Sequence, residues 1–250
     1  MICKQQVVQR NKDGRYYVRP CGQCLNCRIN DMRRWFVRSF FECKKKERPF
    51  QYFLTLTFSD DNLPVDNLCT KRELKLFLNN LNTSFGLHMR YFATSDYGMV
   101  HGRPHYHAII LSTKKITSAQ VLRIWKKGFV TVKELKPFRI KYILRYTVKK
   151  IHFDMENNSD EKKGYFRLIS KGWGNNVKDY YHGQEYFVID GRKYGIDTYC
   201  ASKIGLDKKE VVTHLSYESL VNSPDFQNVG HFNDFVDDLK ELEFYRRKCK

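Results

Sequence analysis

The 250-residue chain carries a formal net charge of +18 and a pI near 9.5, with 42% hydrophobic and 15% aromatic residues. That length can bury a good core, and that apolar content excludes disorder over most of it. No run approaches the roughly 20 apolar residues of a membrane span, and the opening MICKQQVVQR lacks the apolar core of a secretory signal, so the expectation is a cytoplasmic protein with no membrane partner, whose charge favours nucleic acid.

The charge is concentrated at the start: residues 1–50 hold 13 Lys/Arg against 4 Asp/Glu, a net of +9. Four of the eight cysteines also lie there, at Cys3, Cys21, Cys24 and Cys27. Residues 24–46 place Ile29, Met32, Phe36, Phe40 and Cys43 at steps of three and four, the spacing of one helix face, and Arg28, Arg33, Arg34 and Arg38 on the other. YFLTLTF (52–58), aromatic with alternating threonines, predicts a central strand. Residues 70–86 open with Thr70 and Glu73 in capping-box register, carry Leu74, Phe77, Leu78 and Leu81 on one side and stop at Gly86, which predicts a helix. Strands are predicted over 89–98 and 105–111, a helix over 117–128 ending at glycine, a strand over 129–135 and a helix over 138–150. The polar stretch 156–164 marks a boundary. Beyond it, YFRLISKGWGNN reads as loop, EYFVIDGRKYG as a hairpin around Asp190-Gly191, and 231–248 as a closing amphipathic helix.

This order predicts an α+β fold with a mainly antiparallel central sheet flanked by helices. The expected organisation is a basic N-terminal arm and helix over 1–50 packed on the main domain, a core over 51–155, and a C-terminal extension over 156–250.

RPHYHAII (103–110) carries the first chemical signal. In a strand side chains alternate, so His105 and His107 share one face and Tyr106 takes the other. The pair either makes structural hydrogen bonds or binds an ion. Asp96 ends the preceding predicted strand. If the two strands pair, its carboxylate reaches the imidazoles, and a two-His, one-carboxylate set suits Mg²⁺ or Mn²⁺; otherwise Asp96 caps a turn. On the 138–150 helix, Tyr142 and Tyr146 lie four residues apart, with Arg145, Lys149 and Lys150 nearby. They either pack a core or form a hydroxyl-bearing strip that attracts phosphate. Cys21-x2-Cys24-x2-Cys27 with Cys3 fits a tetrahedral structural Zn²⁺, an iron–sulfur run or reduced thiols. The arginine face of the first helix is either a DNA backbone track or a solvated surface.

The strand YFLTLTF, then S-D-Y-G-x5-P-H-Y-H, then a helix bearing Y-x3-Y-x2-K resembles the three ordered motifs of the HUH endonucleases, most closely the replication initiators of microviruses and especially gokushoviruses. PCGQCLNCR and RLISKGWG resemble the same phage group, and the likeness covers about residues 1–205. The resemblance implies an HUH-type fold. It implies that His105, His107 and Asp96 bind a divalent cation (relatives usually place glutamate at the Asp96 position), and that Tyr142 and Tyr146 are nucleophiles followed by Lys149. Only Tyr146 keeps Y-x-x-K, because Arg145 stands where relatives often have lysine. The implied activity is metal-dependent nicking and rejoining of single-stranded origin DNA through a 5′-phosphotyrosyl link in rolling-circle replication. Arg28, Arg33, Arg34, Arg38, Arg103, Arg145 and Lys150 are the expected DNA contacts. No G-x4-G-K-[ST] is present, so no nucleotide cofactor is expected, and a host helicase and polymerase would supply unwinding and synthesis. The competing readings are a transposase or relaxase of the same chemistry, and a non-catalytic DNA-binding regulator with a zinc clip.

Overall fold

The computed structural model describes residue 3 and residues 7–10, 16–98, 102–145 and 166–206. The polar stretch 156–164, the second half of the 138–150 helix and the expected closing helix at 231–248 lie outside the described residues. Met1–Gly205 form one compact unit and Leu206–Lys250 a second.

The chain opens with a hairpin of β1 (Val7–Arg10) and β2 (Tyr16–Arg19), followed by α1 (Leu25–Cys43). Then come β3 (Phe50–Phe58), α2 (Lys71–Phe85), β4 (Arg90–Tyr97), β5 (Pro104–Ser112), α3 (Ser118–Trp125), β6 (Gly128–Glu134), and α4, helical over 137–145. After it lie β7 (Arg167–Ile169), a 3-10 turn (Asn175–Tyr180), the hairpin β8 (Tyr186–Ile189) and β9 (Arg192–Gly195), and α5 (Thr198–Ile204). The central sheet has the order β6-β3-β5-β4-β7 with every neighbouring pair antiparallel, so the expected α+β class holds.

Local signals set the helix ends. Thr70 accepts the Glu73 N–H at 3.2 Å, and Gly86, at φ 56°, closes α2 in the left-handed conformation that glycine adopts at least cost. The capping box expected there is only half formed, because the Glu73 carboxylate turns to Tyr106 and Lys127. The full box occurs instead at Thr117 and Gln120 of α3. Gly128 does not stop α3, which ends at Trp125 with Lys126 as cap. It opens β6 at φ 144°, where a Cβ would lie 2.3 Å from Ser59 N, so glycine is needed for backbone approach.

One face of the sheet buries Leu54, Leu56, Phe58, Tyr106, Ala108 and Ile110 against Leu74, Leu78 and Leu81 of α2 and Val121 and Trp125 of α3. Each fully buried side chain of this size contributes about 1.5–3 kcal/mol relative to exposure. The opposite face carries Phe92, which meets Trp35 of α1 and Trp173 edge-on or tilted.

α1 departs from its expected two-sided pattern. Arg28, Ser39 and Glu42 are buried along with Ile29, Phe36, Val37 and Phe41. Phe41 packs on Tyr180 and Phe187, and Phe36 on Tyr194, so the C-terminal hairpin and turn cover the side of α1 away from Trp35. Glu42 accepts hydrogen bonds from Arg90 Nε and, at 2.7 Å, the Gly174 N–H, and Trp173 donates to Ser39 at 3.1 Å. A long amphipathic pattern predicted one wet face; the protein covers both.

RLISKGWG, read as loop, contains β7, which pairs with β4 through Phe92↔Ile169 and Thr94↔Arg167. The chain beyond the expected boundary thus returns to the central sheet within the first unit. The hairpin at Asp190-Gly191 forms as expected, with both residues at positive φ.

Candidate active site

Antiparallel register places cross-strand partners on one face. On the side away from α2 and α3, β3, β5 and β4 stack in rows: Thr57, His105 and Asp96; then Thr55, His107 and Thr94; then Phe53, Ile109 and Phe92. The pairing postulated from the sequence is therefore present, with Asp96 directly opposite His105. Asp96 Oδ2 lies 3.0 Å from His105 Nε2 and 3.9 Å from His107 Nε2. One donor atom from each of the three residues falls within 4.8 Å of the others. Asp96 and His107 are buried and His105 is half-buried.

Hydrogen bonding on the far side of each ring orients the donors. His105 Nδ1 sits 2.9 Å from the Arg103 carbonyl, which can only accept, so Nδ1 carries the proton. In the neutral ring Nε2 then turns a lone pair toward the Asp96 carboxylate, two acceptors at 3.0 Å. A proton or a cation between them relieves that opposition. His107 Nδ1 meets Thr55 Oγ1 at 3.1 Å, which holds its Nε2 toward the same point. Asp96 Oδ1 is buried and has no hydrogen-bond partner among the described residues. Two imidazoles oriented from behind and an unsatisfied carboxylate oxygen fit a hard divalent cation.

Tyr142, on α4, stands at this site. Its ring centroid lies 5.6 Å from that of His107 and 5.8 Å from that of Phe53, both edge-on, and the residue remains 40% exposed. Tyr106 is the contrast. It points through the sheet to the helical side, fully buried, donating to Glu73 at 2.7 Å and accepting the Thr70 N–H at 2.9 Å. Burial, foremost, holds its phenol well above the ordinary tyrosine range. Tyr146, Lys149 and Lys150 lie outside the described residues, and Arg145, half-buried, ends the described part of α4.

The expected arginine track needs correction. Arg28 is 6% exposed and its Nε donates to Gln23 O at 2.7 Å. Arg38 bonds Asp197 at 2.8 Å and lies over the Trp35 and Tyr199 rings. Burial lowers the Arg33 guanidinium from its ordinary value, next to Tyr194 and Arg192. Only Arg34 of the four is fully exposed. The covering of α1 on both sides is the reason. Arg103 donates to Phe58 O at 2.7 Å and pairs with Asp60, tying the start of β5 to the end of β3.

Two groups escaped the sequence reading. Thr55 was visible as an alternating threonine, but its contact with His107 depends on register. Phe129 shares a row with Thr57 and His105 yet is 68% exposed on the edge strand, where Thr131 and Lys133 continue the same outward face. The expected cysteine set does assemble: Cys3, Cys21, Cys24 and Cys27 bring their sulfurs within 4.8 Å of one another. Amide donors, Cys24 N–H first, hold the Cys21 thiol down to about 6, whereas burial pushes Cys27 up to about 12.

Residues 51–151 match a family model for the replication-associated protein ORF2. Replication-associated protein ORF2 of Spiroplasma virus 4 is 30% identical over 155 residues, 53% of this chain and 48% of that protein. Replication-associated protein VP4 of Bdellovibrio phage phiMH2K is 25% identical over 203 residues, 70% of this chain and 64% of that protein. The chain thus spans about half the length of the first relative and under two thirds of the second. Among solved structures, the N-terminal nuclease domain of minute virus of mice non-structural protein 1 aligns with 74% of this chain and 96% of its own at 12% identity, with a TM-score of 0.22, a likeness too remote to inform the site. Residues 51–151, which hold Asp96, His105, His107 and Tyr142, thus match the replication-associated protein ORF2 family, and the chain is a relative of phage replication-associated proteins.

Proposed function

We propose that this chain starts rolling-circle replication by nicking single-stranded DNA at an origin and later rejoining the strand, through a covalent tyrosyl–DNA link. The observation that carries the reading is the half-exposed Tyr142 phenol edge-on to His107, beside a buried carboxylate and a second imidazole on one sheet face. The replication-associated proteins similar to it support the same reading.

Asp96, His105 and His107 would hold Mg²⁺ or Mn²⁺, which polarises a non-bridging phosphate oxygen and offsets charge developing at phosphorus. The residues themselves do the rest. Thr55 and the Arg103 carbonyl fix the imidazole orientations, so the cation-binding atoms are arranged before DNA arrives. The Tyr142 oxygen attacks phosphorus and gives up its proton to solvent. The P–O3′ bond breaks, the 3′-oxygen takes a proton, and the 5′-phosphate remains on tyrosine. The released 3′-hydroxyl is a primer end for a host polymerase, with a host helicase opening the duplex. Tyr146, four residues on, is the second nucleophile that cuts the regenerated origin and passes the strand back, and Lys149 stabilises phosphate charge. Phe129 and Lys133, on the outward face of β6, offer a stacking ring and a cation to the single strand. Phe129 is two strand spacings, about 10 Å, from His105.

The test is incubation of the full chain with labelled single-stranded oligonucleotides and Mn²⁺, read on a denaturing gel with mass spectrometry of the adduct. A protein–DNA adduct should form and disappear in Tyr142→Phe/Tyr146→Phe. His105→Ala should stop cutting while keeping most of the salt-sensitive DNA binding. An adduct that survives in the double variant, or equal cutting in EDTA, refutes the mechanism and leaves the non-catalytic DNA-binding reading.

A further inference from the structure

We propose that Cys3, Cys21, Cys24 and Cys27 hold one tetrahedral Zn²⁺ that joins the open end of the β1–β2 hairpin to the first turn of α1. This site is separate from the His/Asp constellation and does not depend on the nicking reading.

The sulfur spacing carries the argument. A single ion with Zn–S bonds of about 2.3 Å sets its four sulfurs about 3.8 Å apart in a tetrahedron. Here Cys21 Sγ lies 3.9 Å from Cys27 Sγ, and Cys24 Sγ lies 3.8 Å from Cys3 Sγ. All four cysteines are free thiols, and these separations are nearly twice a disulfide's S–S bond of about 2.0 Å. A cluster of several irons inserts metal and sulfide between its thiolates and spreads them farther than this, so the spacing selects one ion.

The backbone is shaped for the same purpose. Cys21 Sγ accepts N–H bonds from Gln23 at 3.4 Å and Cys24 at 3.2 Å, through a turn whose Gly22 has φ 76°. Cys3 Sγ accepts the Cys21 N–H at 3.2 Å. Amide dipoles aimed at sulfur favour thiolates over thiols. Four thiolates around Zn²⁺ leave a net charge of −2, and the buried Arg28 holds its guanidinium beside this turn by donating to Gln23 O at 2.7 Å. Thus the arginine expected on DNA has a second-layer role at the metal.

The placement gives the ion its task. Cys3 precedes β1, Cys21 follows β2, Cys24 is the N-cap of α1 and Cys27 lies in its first turn. A two-stranded ribbon of four-residue strands is marginal alone in water, and one ion ties both its ends to a helix buried in the body of the fold.

The test is replacement of bound metal by Co²⁺ in the full chain, read by absorption. Expected are one tetrahedral Co²⁺ per chain with intense thiolate charge-transfer bands, displaced by Zn²⁺, retained in His107→Ala and lost in Cys24→Ser. Failure of nicking together with retention of these bands would leave this site standing. Since Cys24→Ser can also unfold the hairpin, the wild-type chain is alkylated with iodoacetamide before and after chelation. Zinc should protect Cys21 and Cys24, and chelation should expose them. Absence of the thiolate bands, their persistence in Cys24→Ser, several irons per purified chain, or alkylation indifferent to chelation would each overturn the assignment.

Discussion

Tyr106→Phe separates the two faces of β5 cleanly, because His105 and His107 flank it and point the other way. The lost hydroxyl donates to the Glu73 carboxylate at 2.7 Å and accepts the Thr70 N–H at 2.9 Å, at the entrance of α2. A hydrogen bond to a charged group contributes about 1.5–3 kcal/mol net, and a buried amide left without an acceptor costs about 1–3 kcal/mol. Glu73 keeps Lys127 and some contact with water, which offsets part of the loss. The expected destabilisation is about 2–3 kcal/mol. Urea unfolding can be followed by the fluorescence of Trp125, whose ring lies 5.8 Å from that of Tyr106. Mn²⁺ affinity, measured calorimetrically on the folded variant, should stay at the wild-type value. A stability loss below about 0.5 kcal/mol, or Mn²⁺ affinity that falls together with stability, would show that the two faces are not the independent environments described.

Thr55→Val keeps the side-chain shape but removes the hydroxyl behind His107, and should weaken Mn²⁺ binding about 10–100-fold with little change in melting temperature. Gly128→Ala would put a Cβ 2.3 Å from Ser59 N and 2.4 Å from Thr57 O, so β6 must shift; the variant should lose about 3 kcal/mol or more, or fail to fold, by urea unfolding. Phe129→Ala should leave stability within about 0.5 kcal/mol and lower affinity for a single-stranded oligonucleotide by about 1–3 kcal/mol, read by fluorescence anisotropy at fixed salt.

The regular elements were legible because short-range chemistry decides them. Thr70 and Gly86 bound α2 to the residue, and Asp190-Gly191 turns its hairpin, since the capping oxygen and the positive φ are properties of a few adjacent residues. Strand alternation likewise separated Tyr106 from the two histidines, and a hairpin between β4 and β5 was enough to bring Asp96 to them. What stayed hidden was decided across long sequence separations. Arg38 meets Asp197 from 159 positions away, Glu42 meets Gly174 from 132, and β7 joins β4 from beyond the expected boundary. A helix pattern records which side chains are apolar, but burial of an arginine or a glutamate depends on a partner that arrives only when the chain closes. The sequence thus determined the chemical groups and their local spacing in Asp96, His105, His107 and the four cysteines. The tertiary structure decided which arginines see water, that Thr55 stands behind His107, and that Tyr142 lies beside it, because register and packing fix distances that no periodicity contains.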